Sequence, residues 1–560
     1  MVSRIVKFLE REVSGLHEAA YLLAFFTVLS NVAAFVRDRL FAHYYGASAT
    51  LDVYYAAFRL PDFIFVSVAS MMSASVLVPL LIGVFRKSKP EIKEFVDSVF
   101  SFLSLIMIGV STAVFFLAPI ILSAAFPSIY HGQFGSDFLN LTRIMIISPI
   151  LLGFSNFLAS ISQASHRFAA YALSPVLYNL GIIVGVLVLR PVMGLSGLGL
   201  GVVLGAFLHL AVQVPHVFRQ GLFPRFRFDF NFVRAGAVVK LSVPRTLALS
   251  STHLVTFFLT IMAGSMTVGS IAIFNLAWNL QSAPLAIIGV SYTVALFPTI
   301  SRLFSGGDSH EFMSKMTSAA KHIIFWTVPV MVLFIVLRAQ IVRVIFGSGQ
   351  FDWTDTRLTA AALALFIVSV LPQSLILLFV RGYYAGGNTR KPFIINIISA
   401  GLVIVFAVLF SKLYEFSDFF RFFVGDLLRV EDVPGTEVLM LPLGYSVAVT
   451  LNAAIYWFYF QRRFKSFGRN VFKTLYPIFS ASIFMGFFSY LMLGVFDNLF
   501  DINTVFGIFM QGFLSGILGL AVLVFVLKLF KNKELADIWR VLHRKIWKAD
   551  VVVPEQESLF

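Results

Sequence analysis

Charged and hydrogen-bonding side chains recur along one face of a strongly apolar segment near the N-terminus. Thr27, Ser30, Asn31, Arg37 and Asp38 follow one another at helical spacing and form a narrow polar stripe. Ionisable side chains are costly in hydrocarbon, and in membrane helices they usually face a polar interior. The stripe therefore indicates a transporter with a charged interior. The alternative is a cluster of Arg37, Asp38 and Arg39 that reaches the lipid headgroups.

A second stripe lies on the next apolar segment. Asp52, Tyr55, Arg59 and Asp62 are spaced by three or four residues and share one helix face. We expect this face to point into the same polar interior as the first stripe. The alternative is an internal ion pair between Arg59 and Asp62 that stabilises a kink at Pro61.

Weaker polar faces occur later in the chain. Arg245 lies in a helix that begins near Pro244, and Asn275 and Asn279 share one side of the following helix. Amide and hydroxyl side chains in membrane helices commonly join helix to helix, so this alternative stays open for the asparagines. His253 is predicted to be a hydrogen-bonded core residue.

The sequence lacks the patterns of several chemistries. We find no metal-ligand spacing, no phosphate-binding loop and no nucleophile elbow, so no metal or cofactor is predicted. Gly386 and Gly387 are interpreted as part of a turn between two helices. The net charge of +15 lies mostly in short loops between apolar segments, so it indicates membrane topology and not nucleic-acid binding.

The elements that position these residues are membrane helices. The chain has 560 residues, of which 59% are hydrophobic and 13% charged, which is typical of a polytopic membrane protein. An all-α fold of about fourteen transmembrane helices is predicted. They are expected at 19–36, 51–83, 95–122, 138–163, 168–189, 194–218, 236–263, 270–300, 320–337, 358–380, 393–411, 441–461, 474–495 and 502–527.

The distribution of basic residues predicts the orientation. Of the 43 Lys and Arg, 31 are assigned to the N-terminus, the even-numbered connections and the C-terminal tail, and 9 to the odd-numbered connections. Arg59, Arg143 and Arg245 complete the total and lie within helices. Because cytoplasmic loops are enriched in Lys and Arg, both termini are expected in the cytoplasm.

The chain contains an internal repeat. At an offset of 220 residues, the segment that begins at Leu51 aligns with the segment that begins at Ile271, so that Phe58 matches Trp278. Two copies of six helices have the same orientation, which predicts two parallel lobes with the substrate between them.

The repeat predicts the domain organisation. We expect a cytoplasmic amphipathic lead at 1–18, an N-lobe at 19–219, a C-lobe at 236–463, two additional helices within 474–530 and a basic cytoplasmic tail at 531–560. The long acidic and aromatic connection 412–440 is interpreted either as an interfacial helix on the outer face or as a partly ordered loop.

Two stretches resemble a known family. FVRDRLFAHYYGASATLDVYYAAFRLPDF resembles the opening signature of the lipid II flippase MurJ (MviN) family, and IFGSGQFDWTDTRLTAAAL with RGYYAGGNTRKP resembles its tenth-helix region. Arg37, Asp38, Asp52, Arg59 and Asp62 fall on the family motif. The chain departs from it at Asn31, at Phe65–Val66 and at Asn279, where the family has arginines.

The resemblance implies a member of the multidrug/oligosaccharidyl-lipid/polysaccharide exporter superfamily and not an enzyme. Such a flippase moves the undecaprenyl-diphosphate-linked peptidoglycan precursor, lipid II, across the bacterial inner membrane by alternating access, and its partners would be membrane lipids and cell-wall synthesis proteins. The expected substrate-binding residues are Arg37, Arg59, Arg245, Asn31 and Asn279. Asp38, Asp52 and Asp62 are expected to serve ion coupling or internal ion pairs.

Three other functions remain open. An exporter of another lipid-linked oligosaccharide or amphiphile would need fewer arginines. A polytopic glycosyltransferase or ligase would need paired carboxylates or a histidine base on an outer loop, and the only long outer connection, 412–440, contains no histidine. A structural partner of a wall-building complex would not transport at all.

Overall fold

The protein is an assembly of α-helices, seen here in a computed structural model. The structure describes residues 16–85, 88–165, 167–227, 236, 253–463 and 467–536, and no strand occurs among them. The predicted all-α class is therefore confirmed. Arg245, most of the lead at 1–18 and the end of the basic tail lie outside the described residues.

The helices of the first half follow the predicted spans, but several spans are interrupted. They are α1 (Leu16–Tyr45), α2 (Ala49–Ala57), α3 (Arg59–Ser67), α4 (Ala74–Val84), α5 (Lys89–Ala125), α6 (Pro127–Tyr130), α7 (Gly135–Met145), α8 (Ile147–Ala164), α9 (Ala169–Val184), α10 (Arg190–Met193), α11 (Leu195–Ala211) and α12 (Val214–Arg219).

The second half has the same character. Its described helices are α13 (His253–Gly264), α14 (Ser270–Pro284), α15 (Ser291–Ser305), α16 (Ser309–Val336), α17 (Arg338–Phe346), α18 (Trp353–Ile367), α19 (Val370–Ala385), α20 (Arg390–Phe416), α21 (Asp418–Leu428), α22 (Met440–Arg463), α23 (Phe467–Asp497) and α24 (Val505–Leu529). Short 3-10 or π turns connect some of them.

The described residues contain 11 helical stretches that are long and apolar enough to cross a membrane, together with the shorter apolar helix α13. The three predicted spans outside those 11 are 19–36, 51–83 and 236–263. The first carries the charged stripe, the second is broken, and the third is largely outside the described residues. The chain is a multi-pass membrane protein, and the count of fourteen stays a prediction.

The predicted helix 51–83 is broken after Ala57 because of Pro61. Proline has no N–H to donate to the carbonyl four residues earlier, and its ring clashes with that carbonyl. The helix therefore ends at Ala57 and restarts at Arg59. The break lies between Tyr55 and Arg59, two residues of the second polar stripe.

Glycines bring α9 and α11 into backbone contact. A Cβ atom on Gly201 would lie 2.5 Å from the Gly185 Cα, and one on Gly181 would lie 2.2 Å from the Gly205 Cα. Small residues at four-residue spacing allow membrane helices to approach closely. This contact positions Asn179 of α9, which takes part in the site described below.

The chain divides into two compact units. The first comprises Met1–Trp278, Ile345–Ala362 and Asn396–Tyr445, and the second comprises Asn279–Val344, Leu363–Ile395 and Ser446–Phe560. The first unit has an apolar core that includes Ile64, Met107 and Phe157, and the second has one that includes Phe379 and Tyr456. The division into lobes at 19–219 and 236–463 stays a prediction.

A buried carboxylate fixes the start of the connection that follows α12. Asp97 of α5 is fully buried and accepts a hydrogen bond from the Arg225 backbone N–H at 2.8 Å. Ser101, one turn later, accepts one from the Arg227 N–H at 2.8 Å, and Lys93 pairs with Asp97. The residues around 225 are thus held along α5.

Candidate functional site

The Arg37 guanidinium is held by neighbours on two helices. Its Nε and Nη2 donate to Asp38 Oδ1 at 2.9 and 2.7 Å, and its Nη1 donates to Asn179 Oδ1 of α9 at 3.0 Å. Asp38 is only 2% exposed, and the Arg37 side chain is 20% exposed. This internal ion pair, and not headgroup contact, accounts for the observed position of the Arg37 side chain.

Asp52 joins α2 to α14, the two helices that the sequence repeat aligns. Its Oδ2 accepts a hydrogen bond from the Gly269 N–H at 2.6 Å, and its Oδ1 accepts one from the Ala272 N–H at 2.8 Å. These residues begin α14, where backbone N–H groups lack helical partners and the helix dipole favours a negative charge. Asp52 therefore caps the N-terminus of α14 from a distant part of the chain.

The Arg59 guanidinium lies against a neutral partner. Its Nη2 donates to Asn275 Oδ1 of α14, and Asn275 in turn donates to the Ile271 carbonyl at 2.7 Å. The Arg59 Nε and the Tyr55 hydroxyl are buried and have no hydrogen-bond partner among the described residues. Unlike Arg37, Arg59 has a guanidinium N–H without a hydrogen-bond partner among the described residues.

Asp62 contacts His253, which the sequence predicts to be a hydrogen-bonded core residue. His253 Nδ1 lies 3.3 Å from Asp62 Oδ2, and the two side chains are 38% and 30% exposed. The hydrogen bond predicted for His253 is present, but its side chain is partly exposed and does not lie in a core. The difference arises because Asp62 lies 191 residues earlier in the chain, so spacing along the helix of His253 gave no sign of it.

Two further carboxylates hold the loops that precede α2 and α14. Asp355 Oδ2 accepts a hydrogen bond from the Ala47 N–H at 3.0 Å. Glu437 Oε1 accepts one from the Thr267 N–H at 3.0 Å and another from the Thr267 hydroxyl. Together with Asp52, they form a set of three carboxylates bound to loop or helix-start backbone, which we call the carboxylate clasp.

The two loops of the carboxylate clasp touch each other. Gly269 has a φ of +93°, and a Cβ atom there would lie 2.3 Å from the Ala47 carbonyl oxygen. Only glycine readily combines this backbone conformation with such a close approach. The loop before α2 is thus packed directly on the start of α14.

The other predicted site residues lie away from the hydrogen bonds described above. Asn31 is exposed on α1, and Asn279 is half-buried on α14, one turn beyond Asn275. Arg245 lies outside the described residues. The described residues contain no group of three or more His, Cys, Asp or Glu side chains that could hold a metal ion.

Sequence reasoning missed Asn179, Asp355 and Glu437. Asn179 is a single polar residue in an apolar helix, four residues after Pro175, and such a position is a weak signal for a buried hydrogen bond. Asp355 lies in the first turn of α18, where an acid is common as a helix cap. Their partners are distant along the chain, so no local pattern identifies them.

The arrangement leaves one guanidinium N–H of Arg59 without a partner among the described residues, and it joins the loops before α2 and α14 through carboxylates.

Two solved structures have this fold. A structure described as "Lipid II flippase MurJ, inward closed conformation" matches with a TM-score of 0.74 at 22% identity, covering 91% of this chain and 98% of that chain. An inward-facing multidrug resistance MATE family transporter matches with a TM-score of 0.62 at 13% identity, covering 79% and 96%. The chain therefore has the fold that these two proteins share.

The particular family follows from the sequence comparison. The profile described as "Lipid II flippase MurJ" matches residues 41–511, and the chain belongs to the lipid II flippase MurJ family. Two relatives are each named "Probable lipid II flippase MurJ". The one from Buchnera aphidicola is 25% identical over 526 residues, covering 90% of this chain and 98% of the relative. The one from Thermotoga maritima is 26% identical over 519 residues, covering 92% and 96%.

Proposed function

We propose that this protein moves lipid II, the undecaprenyl-diphosphate-linked peptidoglycan precursor, from the inner to the outer leaflet of the bacterial cytoplasmic membrane. The observation that carries the proposal is the family match over residues 41–511. Both termini would lie in the cytoplasm, as the distribution of Lys and Arg indicates. Proteins of cell-wall synthesis would supply and consume the substrate on the two sides.

Arg59 is the principal candidate for binding the diphosphate. Its present partner, Asn275, is neutral, and its Nε has no hydrogen-bond partner among the described residues. A guanidinium in this situation can form a charge-assisted, bidentate contact with a phosphate at a small cost in existing interactions. Arg37 would contribute less because Asp38 already neutralises it. Arg245, Asn31 and Asn279 would complete the headgroup site.

The carboxylate clasp supports alternating access. Asp52, Asp355 and Glu437 bind backbone at the ends of helices that the charge distribution assigns to the outer side. While these hydrogen bonds last, that end stays closed. Release of the substrate to the outer leaflet would require them to break, and return of the empty protein would restore them. Asp38 and Asp62 would act as internal partners of Arg37 and His253.

The membrane potential favours export. Moving a diphosphate charge of about minus two outward through an inside-negative potential gains about 4–5 kcal/mol per 100 mV. The polyprenyl tail stays in lipid, so the protein has to shield only the headgroup. No nucleotide hydrolysis is needed for net transport in this direction.

A second function is favoured by the departures from the family motif. Asn31, Phe65, Val66 and Asn279 stand where family arginines are expected. Phe65 packs against the apolar core of the first unit, so that position offers no charge to a phosphate. An exporter of another lipid-linked oligosaccharide or amphiphile would tolerate this loss.

Complementation separates the two functions. The gene would be expressed in a bacterium depleted of its own lipid II flippase, as wild type and as Arg59→Ala, Arg59→Lys and Arg462→Ala. Arg462 is the control, because it is also an arginine within a helix, α22, and its guanidinium lies 4.3 Å from the Phe458 ring centroid. We expect rescue by wild type and by Arg462→Ala, partial rescue by Arg59→Lys and failure of Arg59→Ala. No rescue by well-expressed wild type would favour the second function.

A further inference from the structure

Helix α21 emerges almost directly from the end of a membrane span. Helix α20 ends at Phe416, and α21 begins at Asp418. Ser417 between them caps α21, since its hydroxyl accepts a hydrogen bond from the Phe420 N–H at 3.2 Å. Arg429, with a left-handed φ of 59°, ends the helix. The helix therefore starts about two turns after the predicted apolar span 393–411 ends.

The surface of α21 is unusually apolar and exposed. At about 100° per residue, Phe419, Phe422, Phe423 and Leu427 cover one continuous arc of the helix. Phe419 is 82% exposed and Phe422 68%. On the opposite side Val424 and Leu428 are buried against the protein.

Exposed apolar side chains also cover the preceding span α20. Those of Ile397, Val405 and Leu409 are exposed, and a membrane-spanning helix with such an exposed face is in contact with acyl chains. Beyond them, the exposed ion pair of Lys412 and Glu415 lies on the same side of α20, as expected where a helix reaches the headgroups. Phe410 of α20 stacks on Phe420 of α21 with their ring centroids 6.1 Å apart, so α21 is packed against this end of α20.

The connection holds the arc in this orientation. Arg357 donates to both Asp432 oxygens at 2.8 and 2.6 Å and to the Arg429 carbonyl at 2.6 Å. Tyr414 and Thr436 hydrogen-bond across the base of the connection. These contacts fix both ends of α21, so the helix cannot turn its aromatic face back onto the protein.

From these observations we infer that α21 lies in the boundary between headgroups and acyl chains and inserts Phe419, Phe422 and Phe423 into the membrane. Aromatic side chains are favoured at this depth. Asp418 and Arg421 lie off the apolar arc and stay at the headgroup level. Asp426 shares the face of Phe422 near the end of the helix, so α21 tilts, with its C-terminal end towards water. By the distribution of Lys and Arg, the leaflet is the outer one.

The absence of cysteine from the sequence allows a direct test. Single variants Phe419→Cys and Phe423→Cys, with Asp418→Cys and Arg421→Cys as matched controls on the same helix, would be labelled with an environment-sensitive fluorophore and reconstituted into vesicles. All four positions are exposed, so labelling leaves the packing intact. A lipid-borne quencher at the level of the upper acyl chain and a water-soluble quencher would be compared.

At positions 419 and 423, we expect the fluorophore emission to be blue-shifted and to be quenched mainly by the lipid-borne quencher. At positions 418 and 421, we expect quenching mainly by the water-soluble quencher. Equal quenching from water at all four positions would overturn the inference. It would also be overturned if 419 and 423 became protected only at high protein-to-lipid ratio, because a second copy of the chain, and not lipid, would then cover the arc.

Discussion

At the scale of single residues, Arg37 and Arg59 differ in the charge of the side chains that they contact. Arg37 forms two hydrogen bonds with Asp38 and one with Asn179, whereas Arg59 donates to the neutral Asn275. The charge of Arg37 is therefore neutralised by a direct ion pair, whereas that of Arg59 is not neutralised by its hydrogen-bond partner. This contrast leads to opposite expectations for stability and for binding.

Replacing Arg37 should mainly damage stability. Arg37→Ala removes the guanidinium from the carboxylate of Asp38, which is buried at 2% exposure, and breaking a buried ion pair costs about 3 kcal/mol or more. We expect a clear fall in the thermal unfolding temperature of purified protein. The double variant Arg37→Ala with Asp38→Asn should recover much of this loss, and a double variant as unstable as the single one would contradict the account.

Replacing Arg59 should mainly damage binding. Charge-assisted hydrogen bonds contribute about 1.5–3 kcal/mol, so Arg59→Ala should weaken the affinity for a soluble polyprenyl-diphosphate analogue by about 10- to 100-fold. Titration calorimetry would measure the change, with Arg462→Ala as the control. An unchanged affinity in Arg59→Ala would remove Arg59 from the site.

The charged residues that form these contacts could be singled out from the sequence, but their partners could not. Helical spacing singled out Arg37, Asp38, Asp52, Arg59 and Asp62, because a polar stripe in an apolar helix is a strong local signal. Their partners Asn179, Asn275 and His253 lie 142, 216 and 191 residues away from the residues they contact. Only the three-dimensional fold brings such residues together, so no spacing rule identifies them.

At the scale of helices and loops, the proposed role of the carboxylate clasp is to hold together the loops before α2 and α14. Asp52→Asn keeps the side-chain shape but leaves only one oxygen for the N–H groups of Gly269 and Ala272. A lost charge-assisted hydrogen bond is worth about 1.5–3 kcal/mol. The open population should therefore rise by about 10-fold or more.

Spin labels on the cysteine-free chain would measure this shift. Labels at Thr50→Cys and Val268→Cys report the distance between the starts of α2 and α14. We expect one short distance in wild type and an added longer distance in Asp52→Asn. An identical distribution in the two proteins would show that Asp52 does not hold the loops together.

Glycine packing determines the contact between α9 and α11. Gly201→Ala would place a Cβ atom 2.5 Å from the Gly185 Cα, and overpacking of this kind costs about 1–3 kcal/mol. Gly109→Ala is the matched control, because nothing lies within 4 Å of its Cβ position in α5. Thermal unfolding should show a lower midpoint for Gly201→Ala only. Equal midpoints for the two variants would contradict the packing argument.

The ion pair between Arg357 and Asp432 of the connection 412–440 should depend on pH. The hydrogen bond from Arg357 lowers the pKa of Asp432 below its usual range. A carboxyl with a lowered pKa in the folded protein stabilises it above its unfolded pKa of about 3.9, and the contribution is lost as the pH falls through the folded value. Hydrogen exchange of residues 429–435 should therefore accelerate in acid below about pH 4 in wild type.

Asp432→Asn is the control for this effect. In this variant, residues 429–435 should exchange faster than in wild type at neutral pH. Their exchange should not accelerate further in acid, because the titrating carboxyl is gone. A wild-type protein whose segment exchanges equally at pH 6 and pH 3, after correction for the intrinsic rate, would contradict the assignment.

The helices themselves were largely predictable, but apart from a possible kink at Pro61 their interruptions were not. Apolar length identified the spans because hydrocarbon requires long apolar helices. The break at Ala57 and the extra helix α17 (Arg338–Phe346) depend on Pro61 and on short polar segments that hydropathy averages out. For the connection 412–440, the structure resolves the alternatives in favour of a helix, α21.

At the scale of the whole molecule, the sequence repeat has a physical counterpart in the site. Under the 220-residue offset, Asp52 corresponds to Ala272, and Asp52 accepts a hydrogen bond from the Ala272 N–H itself. Residue 52 therefore contacts the residue that the repeat aligns with it, and this contact is part of the carboxylate clasp.

Transport of lipid II by the purified protein tests the central claim most directly. Vesicles containing wild type and a fluorescent lipid II would be given a membrane potential. A membrane-impermeant reductant would then bleach the fluorophores in the leaflet that it can reach, and the loss of fluorescence would measure how much lipid II has been translocated. The account predicts translocation well above that of protein-free vesicles, faster when the potential drives the diphosphate in the transport direction, and abolished in Arg59→Ala. Translocation by wild type at the protein-free rate, or at the same rate in Arg59→Ala, would contradict it.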